Sequence, residues 1–247
     1  MKDVVEILGV PFSKWNMEQT VRKITDIIDS KHEDKPFHII TANPEIVMIA
    51  QEDQVIRDVT EKADLITPDG IGIVMASRWK GEPVQERVAG YDLLLKLLEE
   101  GNLFGWSFYF LGSSEEVNKA ATDIISKRYP NVVLAGRHNG FFKDKEDEVI
   151  RSIQNSKADI LVVALGAPRQ ELWIYNNKNR LNTKVAIGVG GSLDVIAGKV
   201  KRAPELWQKL NLEWLYRLLS QPTRWKRQLV LPKFAIKAYM EASRSKK

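Results

Sequence analysis

Short apolar runs alternate with longer amphipathic segments along the first 198 residues of the chain. Seven runs have the length and character of strands: Val4–Val10, Phe37–Thr41, Asp64–Thr67, Trp106–Leu111, Asn131–Ala135, Asp159–Leu165 and Lys184–Val189. The segments between them predict helices, among them Met17–Ser30, Tyr91–Glu100, a helix capped by Ser113 that runs to Arg128, Asp144–Ser156 and Arg169–Asn179. Apolar strands separated by helices are typical of a parallel sheet covered on both faces. We therefore predict an α/β protein with a Rossmann-like core and helices on both faces of its sheet.

Charge divides the chain into two parts near Gly198. Residues 199–247 hold thirteen Lys and Arg residues against three acidic residues, whereas acidic residues are in excess before them. Three of the seven Trp residues also fall in the second part. Such asymmetry indicates different tasks for the two parts. We predict an α/β core over residues 1–198, which should fold alone because it holds every predicted strand, and a helical appendage over residues 199–247.

Composition excludes several kinds of site. The chain has no Cys, so disulfides, thiol nucleophiles and cysteine-ligated metals are ruled out. Its three His residues lack metal-ligand spacing, and the patterns that begin at Gly70 and Gly188 lack the third glycine of a dinucleotide fingerprint. No Walker A or Asp-x-Asp pattern occurs either. We therefore expect no metal and no cofactor.

A membrane span needs about 20 apolar residues, and the chain contains no such run. Its start carries Lys2, Asp3 and Glu6 where a signal peptide would be apolar. Both observations predict a cytoplasmic protein that does not cross a membrane.

The residues that follow strands are the candidates for a site, because ligands of open parallel sheets bind beyond the carboxyl ends of the strands. Asp69 lies between Pro68 and Gly70, in a turn that would hold a lone carboxylate in the crevice. Such a carboxylate suits a general base that deprotonates a hydroxyl group. An Asx turn is the structural alternative for Asp69.

Three further polar residues are candidates for the same edge. Thr41 and Asn43 follow a predicted strand and offer a hydroxyl and an amide to a polar ligand. Their alternative role is to cap the helix that Pro44 begins. Arg87 precedes the predicted helix at Tyr91 and is either a phosphate contact or a surface charge.

Glycine follows strand after strand: Gly112, Gly136, Gly166, Gly190 and Gly191. Without a Cβ, these residues allow backbone N–H groups to approach a phosphate or a base, although tight turns alone would also need them. Pro168 and Gln170 lie in the block Leu165–Trp173, where Gln170 can hydrogen-bond a base or a sugar. Asp194 follows the last glycine turn and is placed to bind ribose hydroxyls.

Together these motifs resemble the WecG/TagA/CpsF family of bacterial glycosyltransferases, and within it the TagA type most of all. The resemblance covers nearly the whole chain and rests on the following segments: Thr41-Ala42-Asn43, Pro68-Asp69-Gly70-Ile71-Gly72, Arg87, Phe110-Leu111-Gly112, Leu165–Trp173, Val189-Gly190-Gly191, Glu213-Trp214-Leu215-Tyr216-Arg217, Pro222 and Arg224. The block Leu165–Trp173 is the one segment that is specific by itself.

The resemblance implies an inverting, metal-independent transfer of N-acetylmannosamine from a UDP donor to polyprenyl-diphosphate-linked N-acetylglucosamine. This step belongs to synthesis of the wall teichoic acid linkage unit. The resemblance also implies that Asp69 is the catalytic base, that Thr41 and Asn43 line the substrate pocket, and that Gln170 contacts the donor. The core would then bind the nucleotide sugar.

The appendage combines a Leu and Trp stripe at helical spacing with many basic residues, which suits an anionic membrane surface. We expect peripheral association with the inner face of the cell membrane. Arg217 and Arg224 are candidates for binding the acceptor diphosphate. Packing on the core or on another subunit is the alternative, and homo-oligomerisation stays open.

Two other functions stay open from the sequence. The donor could carry a uronate, N-acetylmannosaminuronate, for another surface polysaccharide. The basic, Trp-rich appendage could instead serve a nucleic-acid-binding α/β protein, but it contains no recognised nucleic-acid motif. We therefore expect no nucleic-acid partner.

Overall fold

The computed structural model describes residues 3–30, 35–210, 212–220 and 229–244, apart from the side chains of Lys209 and Arg217. The chain begins with an antiparallel hairpin of β1 (Val4–Ile7) and β2 (Val10–Ser13). The single strand predicted over Val4–Val10 is therefore wrong. Leu8 and Gly9 both have positive φ, 49° and 76°, and two such residues form the tight turn that joins hairpin strands.

The predicted parallel sheet is confirmed and has six strands. They are β3 (Phe37–Ala42), β4 (Leu65–Pro68), β5 (Ser107–Gly112), β6 (Val133–His138), β7 (Ile160–Ala164) and β8 (Val185–Gly188). Their order across the sheet is β4-β3-β8-β7-β5-β6, and every neighbouring pair is parallel. The chain therefore builds one side of the sheet with β3 and β4 before it crosses to the other side.

Nine helices follow or separate these strands up to residue 196 of the described chain. They are α1 (Met17–Asp29), α2 (Pro44–Glu52), α3 (Gln54–Glu61), α4 (Ile71–Trp79), α5 (Gly90–Phe104), α6 (Glu115–Arg128), α7 (Glu146–Ser156), α8 (Arg169–Asn177) and α9 (Ser192–Ile196). Short 3-10 turns occupy Lys143–Lys145 and Lys178–Arg180. The Rossmann-like α/β core is thus as predicted.

Local capping explains where two of the helices begin. Asn16 and Gln19 form the predicted capping box of α1. For α6 the predicted cap was wrong by one residue, since the Ser114 hydroxyl accepts the Val117 N–H at 3.3 Å. Ser113 instead has φ of 55° and lies in the turn after β5.

The core lies on both faces of the sheet because side chains alternate along each strand. On one face, Ile39, Phe108, Ile160 and Ile187 belong to a cluster that includes buried residues of α1, α5 and α6. The opposite face divides into two clusters, one around β3, α2 and α4 and the other around β5, β7 and α7. Burial on both faces explains why the strands read as continuous apolar runs.

The appendage contains three described helices: α10 (Glu205–Lys209), α11 (Glu213–Ser220) and α12 (Val230–Arg244). The predicted helical character is present. The Leu and Trp residues of the appendage are divided between separate short helices, α10 and α11. No helix among the described residues has both the length and the apolar character needed to cross a membrane.

Helix α12 returns to the core and completes it. Phe234 is 1% exposed and belongs to the cluster around β3, α2 and α4, and Ala238 joins the same cluster. Tyr239 packs edge-on against Trp79 of α4, with ring centroids 5.8 Å apart. Residues 1–198 alone would lack this packing, and the expectation that they fold alone stays a prediction.

We predict that Phe234→Ala lowers the free energy of unfolding by about 3–5 kcal/mol, the usual cost of deleting a buried aromatic ring. Ile236 lies two residues away on α12 and is 62% exposed, so Ile236→Ala should change stability by less than about 1 kcal/mol. Urea unfolding of both variants measures the difference. Equal stability of the two variants, or an unchanged unfolding midpoint after truncation at residue 198, would contradict the packing of α12.

Candidate functional site

The sheet carries its candidate site at the boundary between β3 and β8. These two strands are neighbours in the sheet, and ligands of open α/β sheets bind beyond the carboxyl ends of the strands. The Thr41 hydroxyl donates to the Gly188 carbonyl oxygen at 2.9 Å, so it joins the ends of the two strands. Thr41 is buried, and its hydroxyl is engaged in holding the floor of the crevice.

Asp69 lies at the neighbouring strand end, in the turn between β4 and α4. Its backbone N–H donates to the Ala42 carbonyl at 2.9 Å, and Gly70 follows with φ of 102°. The Gly90 N–H, at the start of α5, points to the Asp69 carboxylate at 3.4 Å. This arrangement places a half-buried carboxylate at the N-terminus of a 15-residue helix.

Gly90 also explains how α5 comes so close to the crevice. A Cβ on Gly90 would lie 2.7 Å from the Thr41 hydroxyl oxygen, a distance that real Cβ atoms do not tolerate. The absence of a side chain therefore allows Thr41 and the start of α5 to be in contact. Sequence reasoning missed Gly90 because the close approach joins residues that are distant in the chain.

The loop that carries Arg87 is fixed to β4. The Val88 N–H donates to the Pro68 carbonyl at 3.0 Å, and the Thr67 hydroxyl donates to the Val88 carbonyl at 3.0 Å. Arg87 is thereby held near Asp69. Burial lowers the pKa of the Arg87 guanidinium, but Glu213, Asp69 and Asp92 outweigh burial and raise it.

Arg87 belongs to an ion-pair cluster that we define as Arg87, Asp92, Arg202 and Glu213. Arg87 pairs with Glu213 and, at 3.4 Å, with Asp92. Arg202 pairs with Asp92 at 2.6 Å and with Glu213 at 3.5 Å. Opposite charges thus alternate around the cluster, which joins α5 of the core to α11 of the appendage beside Asp69.

Asn43 takes the structural role that the sequence left open. Its side-chain oxygen accepts the Glu45 N–H at 3.0 Å and the Ile46 N–H at 3.2 Å, which caps α2. The predicted substrate contact of Asn43 stays a prediction, since capping uses only the amide oxygen.

The predicted glycine positions differ in what they do. Gly112 has φ of 127°, and a Cβ there would lie 2.3 Å from the Ala164 carbonyl oxygen, so this position accepts no side chain. The expectation that Gly136 follows a strand is wrong. Strand β6 continues to His138, which places Gly136 inside the sheet, where a Cβ would meet the Tyr109 ring at 2.6 Å.

Gly166 and Gly190 follow the ends of β7 and β8 by two residues each and lie side by side at the crevice. Their φ values are 79° and 55°, and open space surrounds both Cβ positions. Pro168 precedes α8, Gly191 precedes α9, and Asp194 lies in the first turn of α9. Each of these residues is thus at the same edge of the sheet as Asp69.

Gln170 is the residue that joins the two glycine turns. Its side-chain oxygen accepts the Gly190 N–H at 2.9 Å and the Gly166 N–H at 3.2 Å. Its amide nitrogen donates to the Glu171 carboxylate at 2.8 Å. The predicted donor contact of Gln170 stays a prediction. Sequence reasoning gave Glu171 no role.

Two predicted contacts fall where no side chain is described. Arg224 lies outside the described residues, and so does the side chain of Arg217. Within the described part of the chain, no three His, Asp or Glu residues come together as a metal site would require. The metal-free site stays a prediction.

The crevice edge of this α/β sheet thus brings a carboxylate and a guanidinium group side by side. Comparison with known proteins specifies the class: residues 5–247 match the glycosyl transferase WecG/TagA/CpsF family. The chain belongs to this family and is a glycosyltransferase, as its motifs predicted.

Three relatives share the name N-acetylglucosaminyldiphosphoundecaprenol N-acetyl-beta-D-mannosaminyltransferase. The protein of Bacillus spizizenii is 41% identical over 202 residues, which are 82% of this chain and 78% of that protein. The protein of Bacillus subtilis is 37% identical over 242 residues, 97% and 93% of the two chains. The protein of Staphylococcus aureus is 38% identical over 223 residues, 90% and 86% of the two chains.

We predict that the ion-pair cluster stabilises the docking of the appendage on the core. Arg202→Gln should speed chymotrypsin cleavage within residues 199–220 roughly fivefold or more, because about 1 kcal/mol of docking free energy is lost. The matched control is Lys199→Gln, since Lys199 is exposed and faces Glu116 at 3.7 Å. Mass spectrometry of the fragments gives the rates. Equal cleavage of both variants would contradict a docking role for Arg202.

Proposed function

We propose that this protein transfers N-acetylmannosamine from UDP-N-acetylmannosamine to a polyprenyl-diphosphate-linked N-acetylglucosamine, as in synthesis of the wall teichoic acid linkage unit. The observation that carries the proposal is the shared name of relatives that align with up to 97% of the chain. That name specifies a sugar linked to undecaprenol through a diphosphate as acceptor and N-acetyl-beta-D-mannosaminyl as the transferred group. The crevice at the β3 and β8 ends supports a nucleotide-sugar donor.

Asp69 is the general base of the proposed reaction. Its carboxylate takes the proton of the acceptor hydroxyl while that oxygen attacks the anomeric carbon of the donor sugar. The bond between this carbon and the UDP oxygen breaks, and UDP leaves with the bonding electrons. Attack from the face opposite UDP inverts the anomeric centre, which gives a β linkage from an α-linked donor.

Cationic and dipolar groups stabilise the diphosphates in this proposal without a metal. Arg87 is held near Asp69 by the Thr67 and Val88 contacts, and guanidinium groups bind phosphate through paired N–H donors. Arg217 and Arg224 join Arg87 at the acceptor diphosphate. Thr41 and Asn43 shape the sugar pocket.

The donor lies along the glycine turns in the same proposal. Gly166, Pro168, Gly190 and Gly191 allow the nucleotide to approach the backbone, and Gln170 and Asp194 set its orientation. Nothing in the relatives' names favours the uronate donor or a nucleic-acid partner.

The enzyme acts at the inner face of the cell membrane in this proposal, because its acceptor is anchored there by a polyprenol chain. The appendage presents exposed apolar side chains suited to the lipid surface: Leu206, Leu210, Trp214, Leu219 and Leu229. Basic residues of the same segment add attraction to anionic lipids, about 1 kcal/mol for each residue near the surface.

Asp69→Asn should lower turnover by about 10²–10⁴-fold while UDP binding survives, since the amide keeps the shape of the side chain but takes up no proton. Product formation from UDP-N-acetylmannosamine and a short polyprenyl-diphosphate-N-acetylglucosamine analogue, assayed in EDTA, measures the effect. The control is Asp26→Asn, because Asp26 is exposed on α1. Near wild-type turnover of Asp69→Asn would remove this residue from the mechanism.

The membrane proposal predicts that the full chain sediments with phosphatidylglycerol vesicles and that salt weakens this binding. Leu206→Glu should weaken binding about tenfold or more, through lost apolar burial and added negative charge. Leu103→Glu is the matched control, because both leucines are highly exposed, at 66% and 74%, but Leu103 lies on α5 of the core. Equal loss with both variants would argue against the appendage as the membrane surface.

A further inference from the structure

Glu171 is a buried acid that the proposed reaction does not use. It lies in the first turn of α8, is 1% exposed, and accepts the Gln170 amide at 2.8 Å through Oε1. Its other oxygen, Oε2, is buried and has no hydrogen-bond partner among the described residues. A buried carboxyl group with one unsatisfied oxygen costs free energy, so its presence here calls for a function.

The contacts of Gln170 show what Glu171 accomplishes. The Gln170 carbonyl oxygen lies between two backbone donors, the N–H groups of Gly166 and Gly190. If the amide were flipped, its NH₂ group would face these two donors and its oxygen would face the Glu171 carboxyl oxygen. The Glu171 acceptor therefore favours the one orientation in which Gln170 bridges both glycine turns.

Gly188 closes the other side of the Gln170 side chain. A Cβ at this position would lie 2.7 Å from Nε2 and 3.0 Å from Cδ of Gln170. Gly188 also accepts the Thr41 hydroxyl through its carbonyl oxygen. The amide of Gln170 is thus enclosed between Glu171 and the backbone of β8.

We propose that Glu171 is a positioning residue for the donor-binding edge: it fixes the Gln170 amide, which in turn fixes the spacing of the Gly166 and Gly190 turns. This inference rests on the proposed function, because those turns receive the nucleotide sugar. Glu171 touches no substrate in this role and acts through Gln170.

Protonation of Glu171 supports this role. Burial, with a smaller contribution from the nearby Glu45 of α2, raises the pKa of Glu171 to about 7, against the lowering effects of the Gln170 hydrogen bond and of the Glu171 backbone N–H. Among the charged groups on neighbouring elements, Glu45 is the one that acts on Glu171, whereas Lys62 binds Tyr175 and Lys178 pairs with Asp64. Burial holds the pKa of His38 at about 3, so this ring is neutral.

A pH dependence follows from the raised pKa. Below pH 7 the proton neutralises Oε2, and the carboxyl group stays buried against Gln170. Ionisation above this pH leaves a negative oxygen without a donor, so the side chain gains by turning away and releasing Gln170. The folded acid has the higher pKa, so its contribution to stability is lost as the pH rises from about 4.5 through 7.

The experiment compares KM for UDP-N-acetylmannosamine and kcat at pH 6 and pH 8 in three variants. Glu171→Leu removes the acceptor and should raise the donor KM about tenfold, with kcat changed less than about twofold. Gly188→Ala displaces Gln170 from the other side. It should likewise raise the donor KM about tenfold and change kcat less than about twofold. Glu171→Gln keeps an acceptor oxygen, so it should retain the wild-type KM at pH 6 and lose the wild-type rise in KM at pH 8.

Glu116→Leu, an exposed Glu in the first turn of α6, is the control for the leucine substitution. A purely structural Glu171 would lower the unfolding midpoint in Glu171→Leu but leave the donor KM and its pH profile unchanged, and this result would overturn the proposal. So would a Glu171→Gln variant as impaired as Glu171→Leu at pH 6. Failure of the proposed function is recognisable separately, since the wild-type enzyme would then form no product.

Discussion

The hydrogen bond from the Thr41 hydroxyl to the Gly188 carbonyl holds the site together at its centre. On one side of this bond, the contact of Thr41 with Gly90 brings the start of α5 to the Asp69 carboxylate. On the other side, Gly188 lies against Gln170, which bridges the turns after β7 and β8. The Asp69 carboxylate and the glycine turns are therefore parts of one connected structure.

Ion pairs connect this structure to the appendage. Asp69 and Asp92 are core carboxylates, and Glu213 is contributed by α11. Because Arg87 is shared between these acids, the charge that faces a diphosphate at this edge depends on where α11 lies. In the proposed reaction, docking of the appendage and diphosphate binding at the crevice are thus coupled through Arg87.

Much of the core was predictable because local pattern and global fold agree there. The apolar runs became the strands of the sheet, and the residues after β3, β4, β7 and β8 do meet at one edge. The sequence failed where a single residue changes direction, as at Leu8 and Gly9, or where a strand is less apolar than its neighbours, as at the end of β6. Glu171 and the return of α12 were missed because each depends on contacts between segments far apart in the chain.

Because α12 packs back on the core, the segment before it is a closed loop rather than a free tail. Residues 199–229 are joined to the core at both ends, by α9 on one side and by the buried Phe234 on the other. A segment closed in this way has already lost the conformational entropy of an end that moves freely. Within it, Glu213 lies beside the crevice through its ion pair with Arg87. The length of the loop therefore limits how far this segment can move toward a lipid surface, because both of its ends stay attached to the core.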